Sequence, residues 1–157
     1  TKAGMQAREV ELAALPLTPL AQEVLTREDT SGKVSLKIAE ETVVRADAAL
    51  LSRALANLVR NALRYAGDSG PVHVAAAKEG NQVIITVDDE GPGVPPGDVD
   101  RLGEPFFRPE LARTREGGGV GLGLAIVRTS IASCGGQVRF SNREPRGFRA
   151  EIRLPAA

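Results

Sequence analysis

Twelve of the 17 glycines in this 157-residue chain fall between Gly91 and Gly147. Glycine at that density marks backbone that must take angles closed to other residues, or must come close to something else. From Gly91 to Gly119 there is little apolar periodicity, apart from a short helix expected at 98–102. A long irregular segment in a domain this small is usually a lid or a binding loop. The rest of the sequence must therefore supply the core.

It does so almost without aromatics, which make up 3% of residues with no Trp and one Tyr. Leu, Val, Ile and Ala carry the burial, and a chain of 16.5 kDa can fold as one domain that buries ~70% of its unfolded surface. Twenty basic residues balance twenty acidic ones, which argues against a nucleic-acid or membrane-surface binder working by bulk charge. One Cys and one His exclude a disulfide framework and a zinc site of the Cys/His kind. No apolar run approaches the ~18 residues of a spanning helix, and Thr1-Lys2-Ala3-Gly4 does not start a signal peptide. A soluble cytoplasmic domain is expected.

Residues 1–15 show no core stripe and read as a linker or the tail of an upstream dimerisation helix; residues 16–157 form the domain. Pro16 can open a helix, since Leu17, Leu20, Val24 and Leu25 recur at helical spacing. Val34–Ile38 alternates as a half-buried strand, and 42–45 reads as a second strand, closed by Asp47 as a helix N-cap. The longest helix runs from Ala48 to about Tyr65. Leu51, Leu55, Leu58 and Ala62 form its core stripe, while Asn57, Asn61 and Arg64 form a second stripe turned by about 120°. Strands follow at 72–77 and 83–89, then a helix at 122–134 and a hairpin at 138–140 and 148–154. Strands in adjacent pairs on one sheet, with helices laid over it, give a two-layer α+β sandwich.

Three segments carry chemistry. Asn57 and Asn61 place two carboxamides on one helical face, either as solvated surface or as neutral oxygen ligands suited to Mg²⁺ on a nucleotide phosphate. Arg64, one turn on, can pair with a phosphate. Val83, Ile85 and Val87 share a face, and the pleat aims Asp89 at that same apolar layer. A carboxylate there needs a donor. Gly91, Gly93 and Val94 follow in a turn where a flat polar edge such as an adenine amino group could meet it. Gly117 to Leu124 opens the last helix, and free N–H groups at a glycine-rich helix start bind phosphates. No Lys-Ser/Thr follows these glycines, and no strand precedes them, so neither a P-loop nor a dinucleotide fingerprint fits.

In this order the segments resemble the ATP-binding catalytic domain of sensor histidine kinases, within the wider gyrase, chaperone and MutL-type ATPase superfamily. The resemblance runs from about Leu20 to Pro155. NLVRNALRYA resembles the asparagine box, DDEGPGV the first glycine box, EPFFRPE the F box and GGGVGLGLAIV the second glycine box. Their wording is most similar to the envelope-stress and osmosensing kinases. The resemblance implies a five-stranded, mixed, mostly antiparallel sheet under about three helices, with ATP between the helices beneath a lid.

It also implies the site. Asn61 would hold Mg²⁺, with Asn57 beside the phosphates as a catalytic group and Arg64 as a phosphate partner. Tyr65 would pack on the adenine that Asp89 receives, near Gly91, Gly93 and Val94. Phe107 and Arg108 would belong to the F box, Arg108 reaching the γ-phosphate as a second catalytic group. Gly119, Val120, Gly121, Leu122, Gly123 and Leu124 would present phosphate-facing backbone. Partners implied are ATP, a histidine phosphoacceptor and dimerisation domain of the same parent protein, and a response regulator. Neither nucleic acid nor a membrane is a partner of the fragment, which is expected to be monomeric within a homodimeric parent anchored in the inner membrane.

Three departures stand out. Val120 replaces the usual Thr or Ser, and Gly147-Phe148 replaces a common Gly-Thr near the adenine. The phosphoacceptor motif is absent: Leu17-Thr18-Pro19-Leu20 imitates its tail, but Ala14 stands where the His belongs. His73 lies in a strand with no acid after it. The chain is expected to be a fragment of a longer sensor. A serine kinase of the anti-sigma type and a nucleotide-binding interaction domain without turnover remain as alternatives.

Overall fold

The computed structural model describes residues 9–29, 31–66, 69–104 and 123–157. In chain order the elements are β1 (Ala13–Pro16), α1 (Leu17–Glu28), β2 (Val34–Ile38), β3 (Val43–Ala46), α2 (Ala48–Ala66), β4 (Val72–Glu79), β5 (Gln82–Asp89), α3 (Pro96–Val99), α4 (Gly123–Ser133), β6 (Gln137–Asn142) and β7 (Phe148–Pro155). Five strands form one sheet in the order β2-β4-β5-β7-β6. β2 and β4 run parallel; the other neighbours are antiparallel. A parallel pair cannot be joined by a tight turn. The connection from β2 to β4 therefore carries α2 across one face of the sheet.

The core lies between that face and the helices. Leu17 of α1, Leu51 and Leu55 of α2 and Ile131 of α4 are fully buried against Ile85, Ile152 and Leu154 of the sheet. Each such side chain contributes about 1.5–3 kcal/mol by leaving water. α2 starts where expected: the Asp47 carboxylate accepts the Leu50 N–H at 3.1 Å and the Glu11 N–H at 2.8 Å. Its whole predicted stripe of Leu51, Leu55, Leu58 and Ala62 is buried.

The expected pairing of the first two strands is wrong. β3 leaves the main sheet and pairs with β1, with Ala13 opposite Ala46 and Pro16 opposite Val43. Residues 13–15, expected in a linker or helix tail, are thus strand. β3 instead puts Val44 and Ala46 fully into the core, and Val44 also bridges to Ala156 at the far end of the chain. The short helix foreseen at 98–102 begins earlier, with Pro96 in its first turn, and Leu102 alone of that stretch is deeply buried.

Candidate functional site

The described site residues converge on the helix side of the sheet from three elements. α2 supplies Asn57, Asn61, Arg64 and Tyr65, all half-buried. They lie off the leucine stripe because 3.6 residues per turn carries them round the helix. The Asn57 Nδ2 donates to the Arg53 carbonyl at 3.0 Å, which turns Oδ1 outward. That oxygen faces the start of α4: a methyl built on Gly123 would sit 3.5 Å from Asn57 Oδ1 and 3.7 Å from Asn61 Nδ2. The asparagine stripe and the last glycine of the second glycine run are therefore neighbours, although 62 residues separate Asn61 from Gly123. Leu124 follows at the same helix start.

The second wall is the end of β5. Asp89 is 5% exposed and points into the helix-side layer, as its alternation with Val83, Ile85 and Val87 requires. Its Oδ1 accepts the Gly91 N–H at 2.9 Å. Burial pushes its carboxyl above the ordinary carboxylate range. The backbone N–H groups of Gly91 and Phe148 and the nearby Arg143 oppose that rise, while Asp88 adds to it. Gly91 lies against the end of α2, where a methyl would come 3.0 Å from the Ala66 Cα and 3.3 Å from the Tyr65 carbonyl. Gly93 has φ +76°, an angle that favours glycine, and a methyl there would press on Asn142 Oδ1 at 2.7 Å. Val94 is half-buried beside it.

Phe107, Arg108, Gly119, Val120, Gly121 and Leu122 lie outside the described residues. Phe148, which the sequence placed where a hydroxyl is common, instead offers Asp89 a backbone N–H and stacks its ring on Phe140 with centroids 6.1 Å apart. His73 sits on the other face of the sheet, alternating with buried Val72 and Val74. Its Nδ1 lies 2.8 Å from Ser35 Oγ and its Nε2 3.2 Å from Glu90 Oε2, so both ring nitrogens are engaged away from the site.

Several supporting residues escape sequence reasoning. Arg149 holds Asp88 by two bonds of 2.7 and 2.8 Å, and Asn142, Arg143 and Arg146 reach the segment after β5 from the β6–β7 turn. Charged residues in a hairpin turn look solvated until the register is known. The pairing of Asp89 with Phe148 brings them there.

Among the described residues no group of His, Cys, Asp and Glu could hold a metal ion. A cation here would rest on the neutral carboxamide oxygens of α2 together with oxygens of a bound ligand. That donor set suits Mg²⁺, which keeps much of its shell from water and phosphate.

Residues 46–157 match the family model of histidine kinase-, DNA gyrase B- and HSP90-like ATPases. The sensor histidine kinase CpxA of Escherichia coli is 49% identical over 105 residues, 67% of this chain and 22% of that protein. The sensor protein CutS of Streptomyces coelicolor is 42% identical over 117 residues, 74% of this chain and 28% of its own length. The chain thus spans about a quarter of the curated relatives it matches. Among solved structures, full-length ShkA in complex with AMPPNP superposes with a TM-score of 0.78 at 29% identity, covering 98% of this chain and 33% of that one.

Proposed function

The chain belongs to the family of histidine kinase-, DNA gyrase B- and HSP90-like ATPases, as an ATP-binding catalytic domain of the sensor-kinase type, and we propose that it binds Mg·ATP and delivers the γ-phosphate to a histidine on a separate phosphoacceptor domain. The observation that carries this reading is the meeting of Asn57 and Asn61 with the start of α4, with Asp89 buried at the end of β5. One end of such a cleft suits phosphates and the other a base. Bound magnesium supplies charge neutralisation on the phosphate oxygens. On this reading Asn61 holds the metal and Asn57 presents Oδ1 beside the phosphates.

Arg64 adds a positive charge, and the backbone from Gly119 to Leu124 gives N–H donors to the phosphate chain. Asp89 accepts the adenine amino group, Tyr65 packs on the ring, and Gly91, Gly93 and Val94 let the backbone close on its edge. Phe107 and Arg108 complete the phosphate end, Arg108 at the γ-phosphate. Transfer then depends on placing the acceptor imidazole in line, which a second domain must do. The phosphorylated histidine would pass its group to a response-regulator aspartate. The parent would be a homodimer anchored in a membrane. Among the described residues no helix is long and apolar enough to cross one.

Two measurements test this. Asn61→Ala should lower Mg·ATP affinity far more than adenosine affinity by calorimetry; equal losses would remove the metal role. With radiolabelled ATP the isolated chain should not label itself. Addition of the parent's phosphoacceptor domain should give an acid-labile, base-stable phosphate on it, at a rate below that of the linked protein because local concentration is lost. Acid-stable label on a serine would overturn the histidine-kinase reading.

A further inference from the structure

The end of β6 and the turn after it grip the end of β5 and the segment that follows at three points. Asn142 Oδ1 accepts the Val94 N–H at 2.9 Å while its Nδ2 donates to the Val94 carbonyl at 2.8 Å, so one carboxamide satisfies both backbone groups. Arg143 Nη1 donates to the Asp89 carbonyl at 2.7 Å, and Arg146 Nε donates to the Glu90 carbonyl at 2.9 Å. The turn closes on itself through the Arg143 N–H and the Gly147 carbonyl at 2.9 Å. Gly147 has φ +111°, and a methyl there would collide with the Asp89 carbonyl oxygen. The backbone of the turn is therefore seated directly on Asp89. Sheet pairing alone does not need these bonds, since β5 and β7 are already in register from Gln82–Pro155 to Asp89–Phe148.

We propose that Arg143 is a positioning residue for recognition of the nucleotide base: it fixes the Asp89 backbone through the carbonyl and places a positive charge beside the carboxylate, so that Asp89 meets the base aimed and ionised. This rests on the reading of Asp89 as the acceptor for the base. The surroundings single out Arg143. From its own strand Asp89 has Asp88, a like charge that Arg149 engages at 2.7 and 2.8 Å. Among the described residues, the loop after β5 and β7 offer it the backbone N–H groups of Gly91 and Phe148. The Tyr65 backbone from α2 abuts Gly91, and Glu90 turns to His73. Among the described residues Arg143 is thus the cation acting on Asp89, and it opposes the burial that favours the neutral acid. Its Nε also lies 3.8 Å from Asp88 Oδ2, so it balances both acids at the strand end. Asn142 does the companion work of holding the wall at Val94.

The test is Mg·ADP affinity of the whole chain by calorimetry from about pH 5 to about pH 8.5. Wild-type affinity should fall on the acid side as Asp89 takes a proton. Arg143→Gln keeps a donor but loses the charge, so its acid limb should move up by about one unit. Affinity would then be about tenfold lower on the acid side and within about twofold at the alkaline end. Arg143→Lys keeps the charge without the planar fork, so its limb should stay near that of wild type. Asn142→Ala should lose affinity by the same factor at every pH. An unmoved limb in Arg143→Gln, or a uniform loss across pH, would overturn the proposal. If that variant does not fold, Arg143→Met, which also removes the charge, decides by the same criterion. Asp89→Asn should abolish the limb whatever stands at 143; if it binds as wild type does, the base-acceptor reading itself fails, separately from Arg143.

Discussion

The carboxylate of Asp89 loses most of its water on folding, and its carboxyl is raised above the ordinary range for that reason first. A raised acid binds its proton more tightly folded than unfolded. Its contribution to stability is therefore fully present below the unfolded value and is lost as pH rises through the folded one. Asp89→Asn removes this cost. The variant, compared with wild type by thermal denaturation, should gain relative stability as pH rises above the ordinary carboxylate range. The same change should weaken ATP and ADP alike by about 1.5–3 kcal/mol and reduce the preference over GTP. Stability and binding would move in opposite directions, as expected where a site keeps a strained group for its ligand. The aim of Asp89 was readable, because a period of two from Val83 leaves it no other face. Asn142 and Arg143 were not readable: in SNREPRGF they look like any solvated turn, and their targets are set by a register that sequence does not display.

At the level of elements, α2 does two jobs with two stripes. Leu55 is fully buried and far from the asparagine face in rotation about the helix. Leu55→Ala should cost about 2–5 kcal/mol by urea denaturation, since the close-packed layer relaxes only in part. Asp47→Ala removes the N-cap and its second bond to the Glu11 N–H, and should cost about 1–2 kcal/mol. Neither should change nucleotide affinity by more than about twofold while the protein stays folded. An affinity loss matching that of Asn61→Ala would show that the two faces are coupled. Both stripes could be read from the sequence because helical spacing separates them. β3 was misplaced for the converse reason: four residues of alternating pattern state which side is apolar, and say nothing about which strand lies alongside.

For the molecule as a whole, α2, α4 and β5 are held together by the core, so a ligand bound among them stabilises all three at once. Mg·ATP at about 100 times its dissociation constant should add about 2.7 kcal/mol, a rise of about 5–10 °C in melting temperature for a domain of this size. Adenosine at the same multiple should do as much, whereas GTP at equal concentration should do less. No shift with Mg·ATP would argue that the cleft is not a nucleotide site. The two-layer architecture could be anticipated from the order of strands and helices, yet the path of the sheet could not. β7, residues 148–155, lies between β5 and β6 and pairs with β5 along its whole length and with β6 from Phe148 to Arg153. A ribosome delivers it after every other described element. Until it emerges, β5 and β6 have open edges, the Asp89 amide partner at Phe148 does not exist, and the Asp89 end of the cleft has no floor. Synthesis of this domain must therefore pass through a stage in which β2, β4 and β5 wait with an unpaired edge that chaperones have reason to cover. A premature stop within β7 should yield degraded protein rather than a folded but weakened domain.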